Sequence, residues 1–329
     1  MDQPPPVKPS VNPTGRWAPH KMAAGYVAAP SAPPDAHADR VVYGLMQPLL
    51  GARMLFTHRE LLEAALVPAA LLAMFCACVA LIDPPSWTFG GIVRRFYHVF
   101  AVLAPLPSFL LARHYARLAA TARNKFGFGP VEPAIESMRR ALGRVVKQTV
   151  LVAVGVIPVT AVLHFIPVLG GILIQVVVAV WALHWVVVDA FDSARVLRPG
   201  ETVADLDAMA DKTPQPWFVR LCAEGETLPV VGRILRRFAR WLDKLSRPWR
   251  EEIAMIELHP SLMIGFALST VALLATPVLN LLFRPIVIIG ASHVLGRLES
   301  GPPALPPAAN PPGTPPPASG PPPSVTPAA

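Results

Sequence analysis

The chain has 329 residues, of which 53% are hydrophobic and only 15% charged, and its formal net charge is +8. A soluble domain carries about 25% charged residues, so this balance excludes an ordinary cytosolic enzyme of this length. Three cysteines cannot staple so long a chain, which excludes a disulfide scaffold.

Mean hydropathy is +0.46 and the pI is near 9.9. Hydrophobic mass of this size points to a membrane protein with basic cytoplasmic loops before it points to a nucleic-acid binder. The expected fold class is all-α: a polytopic helical membrane protein with long transmembrane helices and two broken or re-entrant helical hairpins.

Residues 1–40 hold nine prolines and no sustained apolar run, and read as a disordered tail. Nothing there resembles a secretory signal peptide, so an internal apolar segment is expected to drive insertion. The membrane domain is expected over 41–299. Its first apolar block is 61–82, stopped by Asp83-Pro84-Pro85. Its uncharged run 64–82 has 19 residues, close to the ~20 that cross a bilayer. The second is 96–111, continuing as helix toward Ala122, with a kink expected at Pro105 and Pro107.

The third block, 149–188, holds no formal charge. One helix of that length would measure ~60 Å, twice the hydrocarbon core, so the chain must turn inside it. The turn is expected at Phe165-Ile166-Pro167-Val168-Leu169-Gly170-Gly171. The fourth block, 262–295, is interrupted by Pro277, Asn280, Arg284 and Pro285. Each half of these two blocks has roughly 15–20 residues: two short spans, or a hairpin that dips in and returns.

Eight Lys+Arg fall in 112–148 and eleven in 189–261. Placing both loops in the cytoplasm requires the third block to leave and return on one side. Residues 300–329 form a second Pro-rich tail, expected to be disordered. Its polyproline stretches suit an aromatic groove on a partner, although a solvated tail is the plainer reading.

A basic amphipathic helix is expected over 229–247. Val231, Ile234, Leu235, Phe238, Trp241, Leu242 and Leu245 recur at helical spacing, with Arg233, Arg236, Arg237, Arg240, Lys244 and Arg247 between them. Two readings stay open. The helix lies in an anionic lipid interface, with Trp241 as anchor and Arg233, Arg236, Arg237, Arg240 and Lys244 among headgroups. Or its apolar face packs on other helices and the cations are solvated. Nucleic acid is the weakest partner, because such a site has no use for seven large apolar residues on the opposite face.

Gly51–Leu81, with His58-Arg59-Glu60-Leu61 and Pro68, resembles the opening of the CysZ-like family, which also includes the eukaryotic etoposide-induced transmembrane proteins. Ile166–Asp192 resembles that family's Pro-Val-Leu-Gly hairpin, and Gly265–Ala291 its closing hairpin. The resemblance covers about 45–298. It implies an inner-membrane protein with partly penetrating hairpins, a tendency to form homo-oligomers, and a link to sulfate uptake.

Arg284 sits inside the last apolar block, where a charge costs about 2.5–3.5 kcal/mol on insertion scales. With Asn280 and the N–H groups of a helix starting at Pro285, it would make an anion site. Alternatively it snorkels to headgroups. His164, Gln175 and His184 either line a hydrated path or bond carbonyls of neighbouring helices, with Trp181 and Trp185 as interface anchors. Cys76 and Cys78 point to different helix faces and make no metal pair. The acidic residues from Asp189 to Glu226 read as a solvated loop rather than a calcium site. No catalytic constellation, metal site or cofactor motif is present. Two functions follow as expectations: a permease or channel for a small anion such as sulfate, or a non-transporting membrane scaffold.

Overall fold

The computed structural model describes residues 19–82, 86–103, 111–167, 169–225, 232–275 and 280–300. Pro105, Pro107, Pro277 and the tail beyond residue 300 lie outside the described residues, as do residues 1–18. Residues 19–40, expected to be part of a disordered tail, contain helix α1 (Pro19–Ala28) and the start of α2 (His37–Thr57). Local contacts explain the order. Tyr26 meets Tyr43 edge-on at 5.2 Å, the Tyr43 hydroxyl donates to the Ser31 carbonyl at 2.9 Å, and Arg53 donates to the Val27 carbonyl at 2.7 Å.

Helix α3 (Arg59–Ile82) is the first expected span, and its 24 residues give ~36 Å. The second block is corrected. A short helix, α4 (Phe89–Leu103), begins seven residues before the expected start and packs on α3. A separate helix, α5 (Ala112–Lys125), follows. Small residues let α5 sit inside the protein: Ala116, Ala119, Ala120 and Ala122 are buried along it.

The third block turns at the expected place. Helices α6 (Met138–Leu163) and α7 (Leu169–Ser193) form an antiparallel hairpin. Its register is set by close contacts. A Cβ on Gly170 would fall 2.1 Å from the Leu163 carbonyl, Trp181 Nε1 donates to the Val152 carbonyl at 3.1 Å, and Asp192 meets Arg144 near the open end. The helices are not the 15–20-residue pieces expected, because helix continues past the apolar block at both ends. At 26 and 25 residues each is long and apolar enough to cross a membrane. Among the described residues three helices meet that description, α3, α6 and α7, and a fourth does if the bent run Gly232–Leu273 counts as one span.

After a two-residue bridge between β1 (Glu132–Pro133) and β2 (Val196–Leu197), the chain lays down α8 (Val203–Lys212) and α9 (Trp217–Glu224). Then come α10 (Gly232–Ser246), one 3₁₀ turn (Arg247–Trp249) and α11 (Arg250–Leu258). The fourth block closes the fold as α12 (Pro260–Ala275) and α13 (Asn280–Glu299). Apart from β1 and β2, every regular element among the described residues is helical.

The core forms where α2 is clasped by α12 and α13. A Cβ on Gly44 would lie 2.0 Å from the Leu262 carbonyl oxygen, and one on Gly51 would lie 2.3 Å from that of Ile286. Only glycine allows these backbones so close. Around them Leu55, Leu61, Leu118, Phe191, Phe266 and Ile288 are fully buried. Gln47 and His293 meet at 2.6 Å inside this apolar shell, so these two buried side chains satisfy one another.

The α6–α7 hairpin shows the opposite character. Ile157, Val162, Ile172, Val176 and Val180 are each more than half exposed, and α3 presents Met74 and Phe75 in the same way. Apolar surface on this scale is far beyond the scattered exposed side chains of a water-soluble monomer.

Candidate functional site at the base of the hairpin

Of the pathway residues expected from sequence, His164, Gln175 and His184 stand apart from one another and from Arg284. His164 caps the C-terminal end of α6 and is exposed at the hairpin tip. Gln175 is exposed on the outer side of α7. His184 is half-buried. It stacks on Trp181 at 5.8 Å with rings 14° apart and meets Trp185 edge-on. By helix rise, His164 and His184 stand roughly 20 Å apart along the hairpin. Asn280 opens α13, and its side chain lies outside the described residues.

Arg284 is placed differently from expectation. It is buried inside α13, whose first residue is Asn280, so no helix starts at Pro285 to offer free N–H groups. The guanidinium donates to Asp189 Oδ2 at 2.7 Å and lies over the Tyr115 ring at 5.4 Å. A partly buried cation with a carboxylate and a ring against it is electrostatically compensated. It therefore neither snorkels nor stands free for an anion.

Asp189 and Asp192, read from sequence as part of a solvated loop, occupy the last turns of α7 and anchor an ion-paired base. Arg144 of α6 pairs with Glu136 at 2.7 Å and with Asp192, and lies over the Trp249 ring at 5.6 Å. Arg195 pairs with Glu252 at 3.0 Å and with Glu251. Burial alone would lower the Arg195 pKa, but the pull of Glu252, Asp192 and Glu251 outweighs it and holds the guanidinium more firmly charged than usual. Burial pushes the Glu252 carboxyl up, against the opposing attraction of Arg195. The signal for these pairs was in the sequence. An antiparallel hairpin turning near residue 166 sets the cations that open α6 opposite the acids that close α7.

A cleft of ≈ 90 Å³ opens beside this base, lined among others by Glu136, Arg144, Asp189, Asp192, Arg195 and Asp207. All four carboxylates and both guanidinium groups of this lining are ion-paired, which leaves no uncompensated cation for a dianion such as sulfate. Among the described residues, no group of three or more His, Cys, Asp and Glu is placed to hold a metal ion.

The expected basic helix is present as α10, and its apolar residues divide between the protein and the outside. Gly232, Ala239, Leu242 and Ser246 are buried against the protein. There Leu242 joins Trp181, Trp185, Phe218 and Trp249 in one apolar cluster. Ile234 and Trp241 are 67% and 41% exposed, and Phe238 stacks on Trp241 at 5.9 Å. Arg233, Arg236, Arg237, Arg240 and Lys244 are exposed. At 3.6 residues per turn these sets occupy three successive sectors: protein-facing, exposed apolar and cationic. The run α10–α11 meets α12 at 108°. If α12 stands along a bilayer normal, α10 lies close to the bilayer plane.

Compared with family models, curated proteins and solved structures, the chain matches none.

Proposed function

We propose that this chain is a multi-pass membrane protein that acts as a non-transporting scaffold, holding a basic amphipathic helix on an anionic lipid surface at the inner membrane. The observation that carries this reading is the three-sector surface of α10. A helix that only packed on the protein would need one apolar face. This helix has a second, Ile234, Phe238 and Trp241, flanked by five cations. An apolar strip for the acyl boundary beside cations for headgroups is what an interfacial helix requires. The near-perpendicular angle to α12 is consistent with that placement.

The test is a spin label at Ile234→Cys in a chain with its three native cysteines replaced, reconstituted in phosphatidylglycerol vesicles. Oxygen should reach the label better than a water-soluble nickel chelate. Preferential access by the chelate rejects the reading.

A second reading is passage of a small anion such as sulfate, as the CysZ-like resemblance implies, in a homo-oligomer or a monomer. Its support is Arg284, a cation inside the last apolar block. Compensation of Arg284 by Asp189, and the pairing of both cations that line the cleft, weigh against it. Uptake of labelled sulfate into proteoliposomes, abolished by Arg284→Ala, would favour it over the scaffold. Uptake no greater than in empty vesicles rejects it.

A further inference from the structure

A groove of ≈ 380 Å³ lies between the start of α6, helix α8 and the end of α10 with its 3₁₀ turn. Arg140, Arg144 and Lys147 reach it from α6, and Lys244 and Arg247 face them from the other wall. Residues 140, 144 and 147 share one helix face, being three and four apart. The arginines are held in place: Arg140 by Asp207 at 3.5 Å, Arg144 by Glu136, and Arg247 by Asp211. Among the described residues, the side chains of Lys147 and Lys244 make no ion pair or hydrogen bond, which leaves two ammonium groups facing a cavity framed by guanidinium groups and by the Glu136 and Asp207 carboxylates that hold two of them. The volume is in the range of small-ligand sites, about 300–1,000 Å³.

Position along the hairpin identifies what reaches this groove. Lys147 is the last charged residue before the uncharged stretch of α6, and Asp189 the first after the uncharged stretch of α7. The Arg144–Asp192 pair sets these two chain positions at the same height. The groove therefore sits at the level where apolar helix meets charge, the headgroup level of a bilayer that holds the hairpin. Basic pockets between helices at that level suit phosphate headgroups.

We infer that this groove binds the phosphate headgroup of an anionic phospholipid, with Lys147 and Lys244 supplying the free charge in a wall framed by the paired Arg140 and Arg247. This rests on the membrane placement proposed above, but it concerns the start of α6 and the far end of α10 at Lys244 rather than the exposed apolar strip of Ile234 and Trp241. It makes the scaffold selective for a lipid class instead of merely adherent to negative charge.

The experiment is native mass spectrometry of the full chain in detergent, titrated with phosphatidylglycerol or phosphatidylcholine. The wild type should retain phosphatidylglycerol in preference to phosphatidylcholine. Arg140→Gln/Lys147→Gln should weaken phosphatidylglycerol binding by on the order of ten- to thirty-fold, the effect of two interfacial cations, with phosphatidylcholine unchanged. Lys147→Arg, which keeps the charge, should bind as the wild type does. The control, Arg233→Gln/Arg237→Gln, removes cations of α10 that do not line the groove. Loss of lipid selectivity in this control, with the groove variant unaffected, overturns the groove and leaves the interfacial helix standing. Full displacement of phosphatidylglycerol by millimolar inorganic phosphate overturns the lipid as the source of the phosphate.

Discussion

The two long apolar hairpins, α6–α7 and α12–α13, look alike as strings of letters and end in opposite environments. The second is swallowed. Ile286, Val287, Ile288, Ile289, Ala291 and Val294 of α13 are buried, and α2 runs against both of its helices. The first shows most of its bulky side chains to the outside. Hydrophobicity does not separate them, since lipid and protein interior are equally apolar. Small residues and polar partners do. Gly265 and Gly290 face α2 so closely that a Cβ would fall 2.0 Å from the Val41 carbonyl oxygen and 2.7 Å from that of Gln47. The outer faces of α6 and α7 carry β-branched residues and no comparable contact.

The sharpest way to break this comparison is to put a methyl group on a glycine of each hairpin. Gly265→Ala should cost about 3 kcal/mol, since two backbones must separate. Gly171→Ala, with nothing within 4 Å, should be neutral or slightly stabilising. Thermal unfolding of both variants in the same detergent checks the pair. Similar losses in both would remove the distinction.

Next in size is the base that ties the exposed hairpin to the rest. Arg144→Ala leaves Glu136 and Asp192 without their cation. Their side chains are 16% and 20% exposed, so the loss should be about 2–3 kcal/mol, below that of a fully buried pair. Hydrogen exchange should rise at the open ends of α6 and α7 while the α2–α12 contact stays protected. Inside the buried hairpin, Gln47→Leu strands His293 in an apolar shell and should cost about 1–3 kcal/mol, read from the same unfolding curves. Ile157→Ala, on a side chain 63% exposed, should stay within about 0.5 kcal/mol.

The smallest effect lies outside both hairpins. Asp205 closes a capping box with Thr202 at the start of α8, and the Thr202 hydroxyl and backbone N–H hold its carboxyl below the usual range. A lowered folded pKa means that the cap's contribution is complete above the ordinary carboxylate pKa. It is lost as pH falls through the depressed one. The protection factor in the first turn of α8, which is exchange relative to an unstructured chain at the same pH, should therefore fall in acid and stay flat around neutrality. An unchanged protection factor in acid would remove the cap's role.

Much of this architecture was legible in the residues. The apolar run 61–82 and the turn near Pro167 needed only length and the rise of a helix. The basic helix 229–247 needed only its periodicity. Helix α2 was missed because Gly44, Gln47, Pro48 and Gly51 interrupt the large residues Tyr43, Leu50 and Leu55 on its core-facing side. A hydropathy pattern does not register a helix that packs through its backbone. His164, Gln175 and His184, read either as a path or as separate structural groups, are set apart for a related reason: polar letters inside one apolar block need not face the same way. Asp189 and Asp192 were misread because their partners, Arg284 and Arg144, are 95 and 48 residues away in sequence.

By itself the sequence determined that this chain is helical, where its long apolar segments lie and where they turn, because hydrophobic length and periodicity are local properties. Only the tertiary structure decided which apolar hairpin is enclosed, which charges are neutralised and which cations share a groove. Those outcomes depend on how closely backbones can approach and on charges brought together from distant parts of the chain.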